Sequence, residues 1–162
     1  MLPLPPPQLF DAIFRRHGHY CPMSTLGGRM GFAARRRLGA GALRGEFLIR
    51  TCAVDGIVEA TGCCEEEGTL VVRDTGRHAL ILRAAKEGEA VRVVLRPATL
   101  DMAWEYRLMD EALQQERNQL AARDLERRLR DKDAFLEVLL QRLRTLPEDE
   151  LLEIGCLPVS SA

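Results

Sequence analysis

Between residues 69 and 95 the chain holds three short runs of Val, Ile and Leu, Thr69 to Arg73, His78 to Arg83 and Ala90 to Leu95, separated only by Asp74-Thr75-Gly76 and Glu87-Gly88 turn signals. Such runs suit a pleated, half-buried surface, and Gly and Asp between them punctuate the chain. A parallel crossover needs a dozen or more residues, so these connections predict hairpins and an antiparallel sheet. Glu46 to Arg50 reads as a further strand upstream. Everything else is helical in pattern, which sets the expected class as α+β: an antiparallel sheet with N-terminal helices packed on it, followed by a helical C-terminal region.

The helices before the sheet have legible ends. After Pro3, Pro5, Pro6 and Pro7, the residues Leu9, Ile13 and Phe14 give Gln8 to Arg16 one apolar face. His17-Gly18-His19-Tyr20 interrupts that helix. Pro22 suits the first turn of a second one, because its missing N–H would have had no partner there, and Gly39 suits a C-terminal cap after Leu38. Gly27 and Gly31, four apart, let another backbone approach one face closely. Asp55 reads as the N-cap of a short helix from Ile57 to Thr61, closed by Gly62.

Beyond Pro97 the period is helical, with Asp101 as a candidate cap and Met102, Tyr106, Met109 and Leu113 on one face. One unbroken helix from Asp101 to Arg144 would be about 65 Å long, too long for a domain of this size to cover. Two helices packed as a hairpin, or one long helix used in dimerisation, are the expectations. The broad apolar face from Phe135 to Leu143 favours a homodimer. Pro147 to Leu152 reads as a last helical turn, with an extended tail from Gly155. The division is residues 1–98 as an α+β core and residues 99–162 as a helical C-terminal extension.

Composition narrows the function classes. A net charge of -1 with 29% charged residues carries no polyanion signature, so nucleic acid is not an expected partner. No run approaches the roughly 20 apolar residues that cross a bilayer, so no membrane partner is expected either. Five cysteines, Cys21, Cys52, Cys63, Cys64 and Cys156, are an odd number in a chain too large to need disulfide staples. The prolines of the first ten residues break any signal-peptide core, and a reducing cytoplasm is the expected compartment.

The chemistry concentrates in His17-Gly18-His19-Tyr20-Cys21-Pro22. In an extended segment, side chains at i, i+2 and i+4 share one side, so two imidazoles and a thiol there converge on one ion. Imidazole with thiolate suits zinc, and in other geometries nickel, copper or iron. With Pro22 opening a helix, Cys21 stands at its N-cap, where unpaired N–H groups favour a thiolate, so it is the leading nucleophile or ligand. The alternative is that both histidines only hydrogen-bond around a helix junction and Cys21 is a small buried residue.

A second cluster runs from Cys52-Ala53-Val54-Asp55-Gly56 to Thr61-Gly62-Cys63-Cys64. Cys52 reads first as core, and Asp55 first as a helix cap, with acid–base catalysis as its alternative role. Cys63 follows a glycine that allows the unusual backbone a positioned ligand needs. Adjacent Cys63 and Cys64 do not easily serve one ion, so one of them is structural. Arg35-Arg36-Arg37 reads as a solvated helix face, or as a basic patch able to hold an anionic ligand.

Taken in order and spacing, His17-Gly18-His19-Tyr20-Cys21-Pro22, Cys52-Ala53-Val54-Asp55-Gly56-Ile57, Thr61-Gly62-Cys63, Gly68-Thr69-Leu70 and Asp74-Thr75-Gly76-Arg77 resemble the FmdE family of formylmethanofuran dehydrogenase subunits, over roughly residues 8–155. The resemblance implies an α+β core, often dimeric, with a metal-associated site around the HGHxCP segment and the cysteine of the TGC segment. Some members end in a zinc ribbon, which this chain lacks, since only Cys156 follows Glu153. Tyr20, Met23, Cys64 and Thr69 depart from the usual pattern and bear on substrate rather than fold. The family name ties it to molybdenum or tungsten enzymes that reduce carbon dioxide on a C1 carrier. On this reading His17, His19, Cys21 and Cys63 hold one transition-metal ion per chain, zinc first, without an iron–sulfur cluster, and Cys21 and Asp55 are the catalytic candidates. The protein is then an accessory partner of a molybdenum or tungsten oxidoreductase. Alternatives are a metal-dependent enzyme acting on a C1-carrier or other small carbonyl substrate, and a thiol redox module of Cys21 with Cys63.

Overall fold

The computed structural model describes residues 1–86 and 88–158. Glu87 of the expected turn and residues 159–162 of the expected tail lie outside the described residues. The element order is α1 (Pro7–His17), α2 (Pro22–Leu38), β1 (Leu43–Phe47), α3 (Ala53–Thr61), β2 (Leu70–Val72), β3 (Ala79–Ala84), β4 (Ala90–Leu95), α4 (Pro97–Glu116), α5 (Ala122–Thr145), α6 (Glu148–Leu151) and β5 (Leu152–Leu157).

The class is α+β, and helix α2 keeps the bounds its Pro22 and Gly39 signals set. The sheet is mostly antiparallel, in the order β2-β1-β3-β4-β5. The β3–β4 connection is the hairpin its length requires, with Leu80 opposite Val93 and Leu82 opposite Val91. The β2–β3 connection is not a hairpin. Strand β1 lies between them, antiparallel to β3 and parallel to β2. The stretch from Phe47 to Leu70 contains α3 and is long enough to bring the chain back in the same direction, which turn length alone does not reveal.

Two further elements differ from the sequence reading. Strand β1 begins at Leu43, three residues before the expected Glu46, because Leu43, Gly45 and Phe47 are the positions that face the core. The tail from Leu152 is not free: β5 pairs along all of β4, from Leu152 opposite Leu95 to Leu157 opposite Ala90. The long C-terminal helical pattern breaks at residues 117–121, and α4 and α5 pack against each other. Helix α4 starts at Pro97, so Asp101 lies inside it rather than at its cap.

Helix α2 is the hub, touching α1, α3, α5 and the sheet. Leu26 and Met30 are fully buried in one core with Phe47, Ile57, Leu80 and Val93. Each such side chain contributes about 1.5–3 kcal/mol of apolar burial. Contact between α2 and α3 is made through glycine: a Cβ on Gly27 would lie 2.0 Å from the Ala53 carbonyl oxygen, and one on Gly56 2.0 Å from that of Ser24. The touching positions advance together along both helices, Gly27 with Ala53 and Gly31 with Ile57 and Ala60. The two helices therefore run side by side in the same direction, with their N-termini together.

The arginine run on α2 is exposed at Arg35 and Arg37, and all three side chains also bond within the chain. Arg36 and Arg37 pair with Glu148, whose side chain is only 8% exposed, while Arg35 donates to the Ala60 and Thr61 carbonyls at the end of α3. Arg29, 3% exposed, donates to the Leu143 and Leu146 carbonyls at 2.8 and 2.7 Å and so caps the C-terminus of α5. These contacts tie the C-terminal helices to the element that carries Cys21.

Candidate metal centre

The HGHYCP segment joins α1 to α2, and both ends of it are set by local chemistry. Gly18 takes a left-handed conformation with φ of 88° and returns its N–H to the Phe14 carbonyl, which ends α1 at His17. Cys21 is extended and forms the N-cap of α2, ahead of Pro22. Its carbonyl accepts from the Ser24 and Thr25 hydroxyls and from the Thr25 amide. The backbone of Cys21 is thus held while its thiol makes no capping bond.

His17, His19 and Cys21 bring one ligating atom each to within 4.8 Å of one another. The two imidazole rings lie 4.2 Å apart, centroid to centroid. His17 is the best-anchored member: its Nδ1 and Asp55 Oδ2 are 2.8 Å apart, and its side chain is 11% exposed. A neutral ring donating from Nδ1 to the carboxylate carries its lone pair on Nε2. That Nε2 is buried and has no partner among the described residues. A buried polar atom left unpaired costs about 1–3 kcal/mol, and a metal ion is one partner that removes the cost. A carboxylate behind a ligating imidazole is also the usual support of such ligands. The donor set of two nitrogens and a sulfur fits zinc and other borderline transition metals, and three protein ligands leave a coordination position open.

Asp55 is not the N-cap of α3, which is Cys52; it lies in the first turn and reaches across to His17. Cys63 is placed apart from the cluster. It is 2% exposed in the core, and its Sγ donates to the Leu43 carbonyl at 3.4 Å. Burial pushes the Cys63 thiol above its usual range, against the pull of the Thr61 hydrogen bond. The thiol neighbour of Cys21 is Cys52, and partial burial together with that neighbour pushes the Cys52 thiol up to about 11. Cys21 and Cys52 cap the two helices whose N-termini lie together, so the parallel packing of α2 and α3 accounts for the pair.

The surroundings of the cluster come from the C-terminal helices. On α4, burial raises the Tyr106 phenol pKa, opposed by the Lys132 charge. A cavity of about 570 Å³ opens beside Tyr20, the residue between His19 and Cys21, and its other wall is α5. Neither Cys52 nor these C-terminal residues were marked as site residues by the sequence. Cys52 alone left a signal, a cysteine immediately before a short helix, matching Cys21 before α2.

No described helix is long and apolar enough to cross a membrane. The fold has a solved likeness in a tungsten formylmethanofuran dehydrogenase FmdE-like protein of Syntrophus aciditrophicus, with a TM-score of 0.63 and 24% identity, covering 94% of this chain and 72% of that one. A probable S-adenosyl-L-methionine-binding protein of Archaeoglobus fulgidus is 37% identical over 86 residues, 48% of this chain. The match spans only 24% of that relative's length. Residues 16–153, which hold the whole HGHYCP cluster, Asp55 and all but the last few residues of the sheet, match the family described as FmdE, Molybdenum formylmethanofuran dehydrogenase operon, and the chain belongs to that family.

Proposed function

We propose that this chain is an accessory protein of molybdenum or tungsten C1 metabolism that holds one transition-metal ion, zinc first among the candidates, on His17, His19 and Cys21. The observation that carries the proposal is the buried, unpartnered Nε2 of His17, fixed in place by Asp55. When bound, such an ion supplies Lewis acidity at its open position. Asp55 holds the His17 tautomer, Cys21 supplies a thiolate at a helix N-terminus, and Tyr20 stands at the mouth of the cavity. The five free cysteines suit a reducing cytoplasm. A homodimer and association with a molybdenum or tungsten oxidoreductase belong to the same proposal. Leu139, Leu140 and Leu143 are consumed inside the chain, so the dimer contact falls to the exposed Trp104 and Leu108 of α4 and Val138 of α5. Sedimentation giving only an 18.2 kDa species at micromolar concentration overturns the dimer.

The cavity beside Tyr20 favours a second reading, in which the same site acts on a small carbonyl substrate. A thiol redox role, in turn, would use Cys21 with its neighbour Cys52 rather than with Cys63.

Elemental analysis of freshly purified, untagged protein tests the metal centre, beside His19→Ala and Cys21→Ala variants checked for folding. The expected result is about one zinc, nickel or iron per chain, lost in both variants. A wild-type protein that takes up no metal, even after reconstitution under reducing conditions, overturns it.

A further inference from the structure

The cavity beside Tyr20 has one end that is chemically incomplete. Its walls are Tyr20 on one side and, along α5, Asp133, Leu136, Glu137, Leu140 and Arg144. Arg144 lies with its guanidinium carbon 5.1 Å from the Phe10 ring centroid and 5.8 Å from that of Tyr20, and Tyr20 is itself stacked on Phe14 at 4.2 Å. Its Nε is buried without a partner, and no carboxylate pairs with it among the described residues. Arg29 is held by two carbonyls, Arg37 by Glu148, Arg128 by Glu116 and Lys132 by Asp110; Arg36 shares an unpartnered buried Nε with Arg144, but unlike Arg144 it has its Nη2 on a carboxylate, that of Glu148. A partly desolvated guanidinium with its fork free, oriented by aromatic faces, is a ready acceptor site for a carboxylate or phosphate.

The opposite end has the reverse character. Asp133 and Glu137 lie two to three turns earlier on α5, about 10–16 Å from Arg144 along the helix. They repel a second anion there and accept from hydroxyl, amide or amine groups. Leu136 and Leu140 form an apolar floor between the two ends.

We propose that this cavity takes a small organic anion, a carboxylate or a phosphate ester, with its charged group on Arg144 and its apolar body over Leu136, Leu140 and the Tyr20 ring. The proposal rests on the second functional reading, since it supplies the class of molecule that reading lacks. Tyr20 contacts the ligand with its ring, which its stacking on Phe14 holds in place. The charged end of the ligand is held at Arg144, and the orientation follows from the separation of charges along α5.

Three matched probes test it: 3-phenylpropionate, phenyl phosphate and the uncharged 3-phenylpropanol, titrated by calorimetry into the full chain with and without added zinc. The expected result is that at least one anion binds about tenfold or more tightly than the alcohol, the better anion naming the class. Arg144→Gln should weaken that anion about tenfold or more, Arg144→Lys should restore part of the loss, and Arg130→Gln on the exposed side of α5 should change nothing. Equal binding of alcohol and anions, unchanged affinity in Arg144→Gln, or no binding of either anion at millimolar concentration overturns the site. If Arg144→Gln does not fold, the comparison of alcohol with anions in the wild type still decides. Zinc content measured on the same samples keeps the two ideas apart: anion binding without zinc uptake sinks only the metal centre, and zinc uptake without anion binding sinks only this site.

Discussion

Replacing Gly27 with Ala should damage the fold and the candidate metal centre together. The new Cβ would sit 2.0 Å from the Ala53 carbonyl oxygen and 2.7 Å from its carbonyl carbon. An ordinary carbon–oxygen approach is about 3.3 Å, so α2 and α3 must part by about 1 Å. Backbone is the obstacle, and no side chain can swing away to absorb the clash. A gap of that size forfeits about a quarter to a half of the dispersion between the facing surfaces, here those of Leu26, Met30, Ala53 and Ile57. The net cost should be about 3 kcal/mol after the better helix propensity of Ala is credited. For a chain of this size that is a fall in Tm of about 10 °C. The same parting would stretch the His17 to Asp55 contact from 2.8 Å to a length that is no longer a hydrogen bond. Gly56→Ala, against the Ser24 carbonyl, should match it. Gly28→Ala meets only the movable tip of Ile13 and should cost less than about 1 kcal/mol, with Gly31→Ala between. Thermal unfolding of the four variants, each also titrated with zinc, provides the assay. The reasoning fails if Gly27→Ala melts within about 3 °C of the wild type, or if Gly28→Ala costs as much.

Asp55→Asn should weaken zinc binding about 10–100-fold without unfolding the chain, because the carboxylate only orients His17; competition with a chelating dye measures it. Arg29→Met should cost roughly 3 kcal/mol in urea unfolding, since it keeps the volume but leaves the Leu143 and Leu146 carbonyls without their donor. Glu148 should control part of the acid limb of stability. Burial alone would raise its pKa, but the Arg37 and Arg36 hydrogen bonds and charges outweigh that and hold it below the usual 4.5. A carboxylate depressed in the fold contributes stability above its unfolded value and loses it as pH falls through the folded one. Glu148→Gln should therefore lower stability at neutral pH and flatten its decline below about pH 4.5, and urea midpoints across that range check both signs.

What was legible in the chain followed from local rules. Pro22 and Gly39 bounded α2 because a missing N–H and an open φ act on their own residues, and the spacing of His17, His19 and Cys21 sufficed because they are neighbours in sequence. What was not legible depended on distant elements. Cys63 and Cys52 flank the same helix, and only the direction in which α3 crosses α2 decides which of them meets Cys21. Strand β5 was hidden because Leu152–Leu157 follows a helical turn and is half exposed at an edge, so its pattern of burial is faint. Asp55 had the residue type of a cap, and its true partner was 38 positions away. The arginine run was polar in composition but acquired its acid from residue 148, beyond any window a periodicity scan uses.

The placement of β5 sets an order on the birth of this protein. On the ribosome, β4 is finished long before residues 152–157 emerge, and until then Ala90-Val91-Arg92-Val93-Val94-Leu95 has one side of its backbone unpaired. That segment combines strong β preference with a single charge, the composition that recruits neighbouring nascent chains into intermolecular sheets. Helices α4 and α5, made in the interval, have time to fold locally before the sheet is sealed. Slowing or stalling translation within them should lengthen the vulnerable period and raise the insoluble fraction, whereas a chain in which β5 has emerged covers β4 with its own backbone.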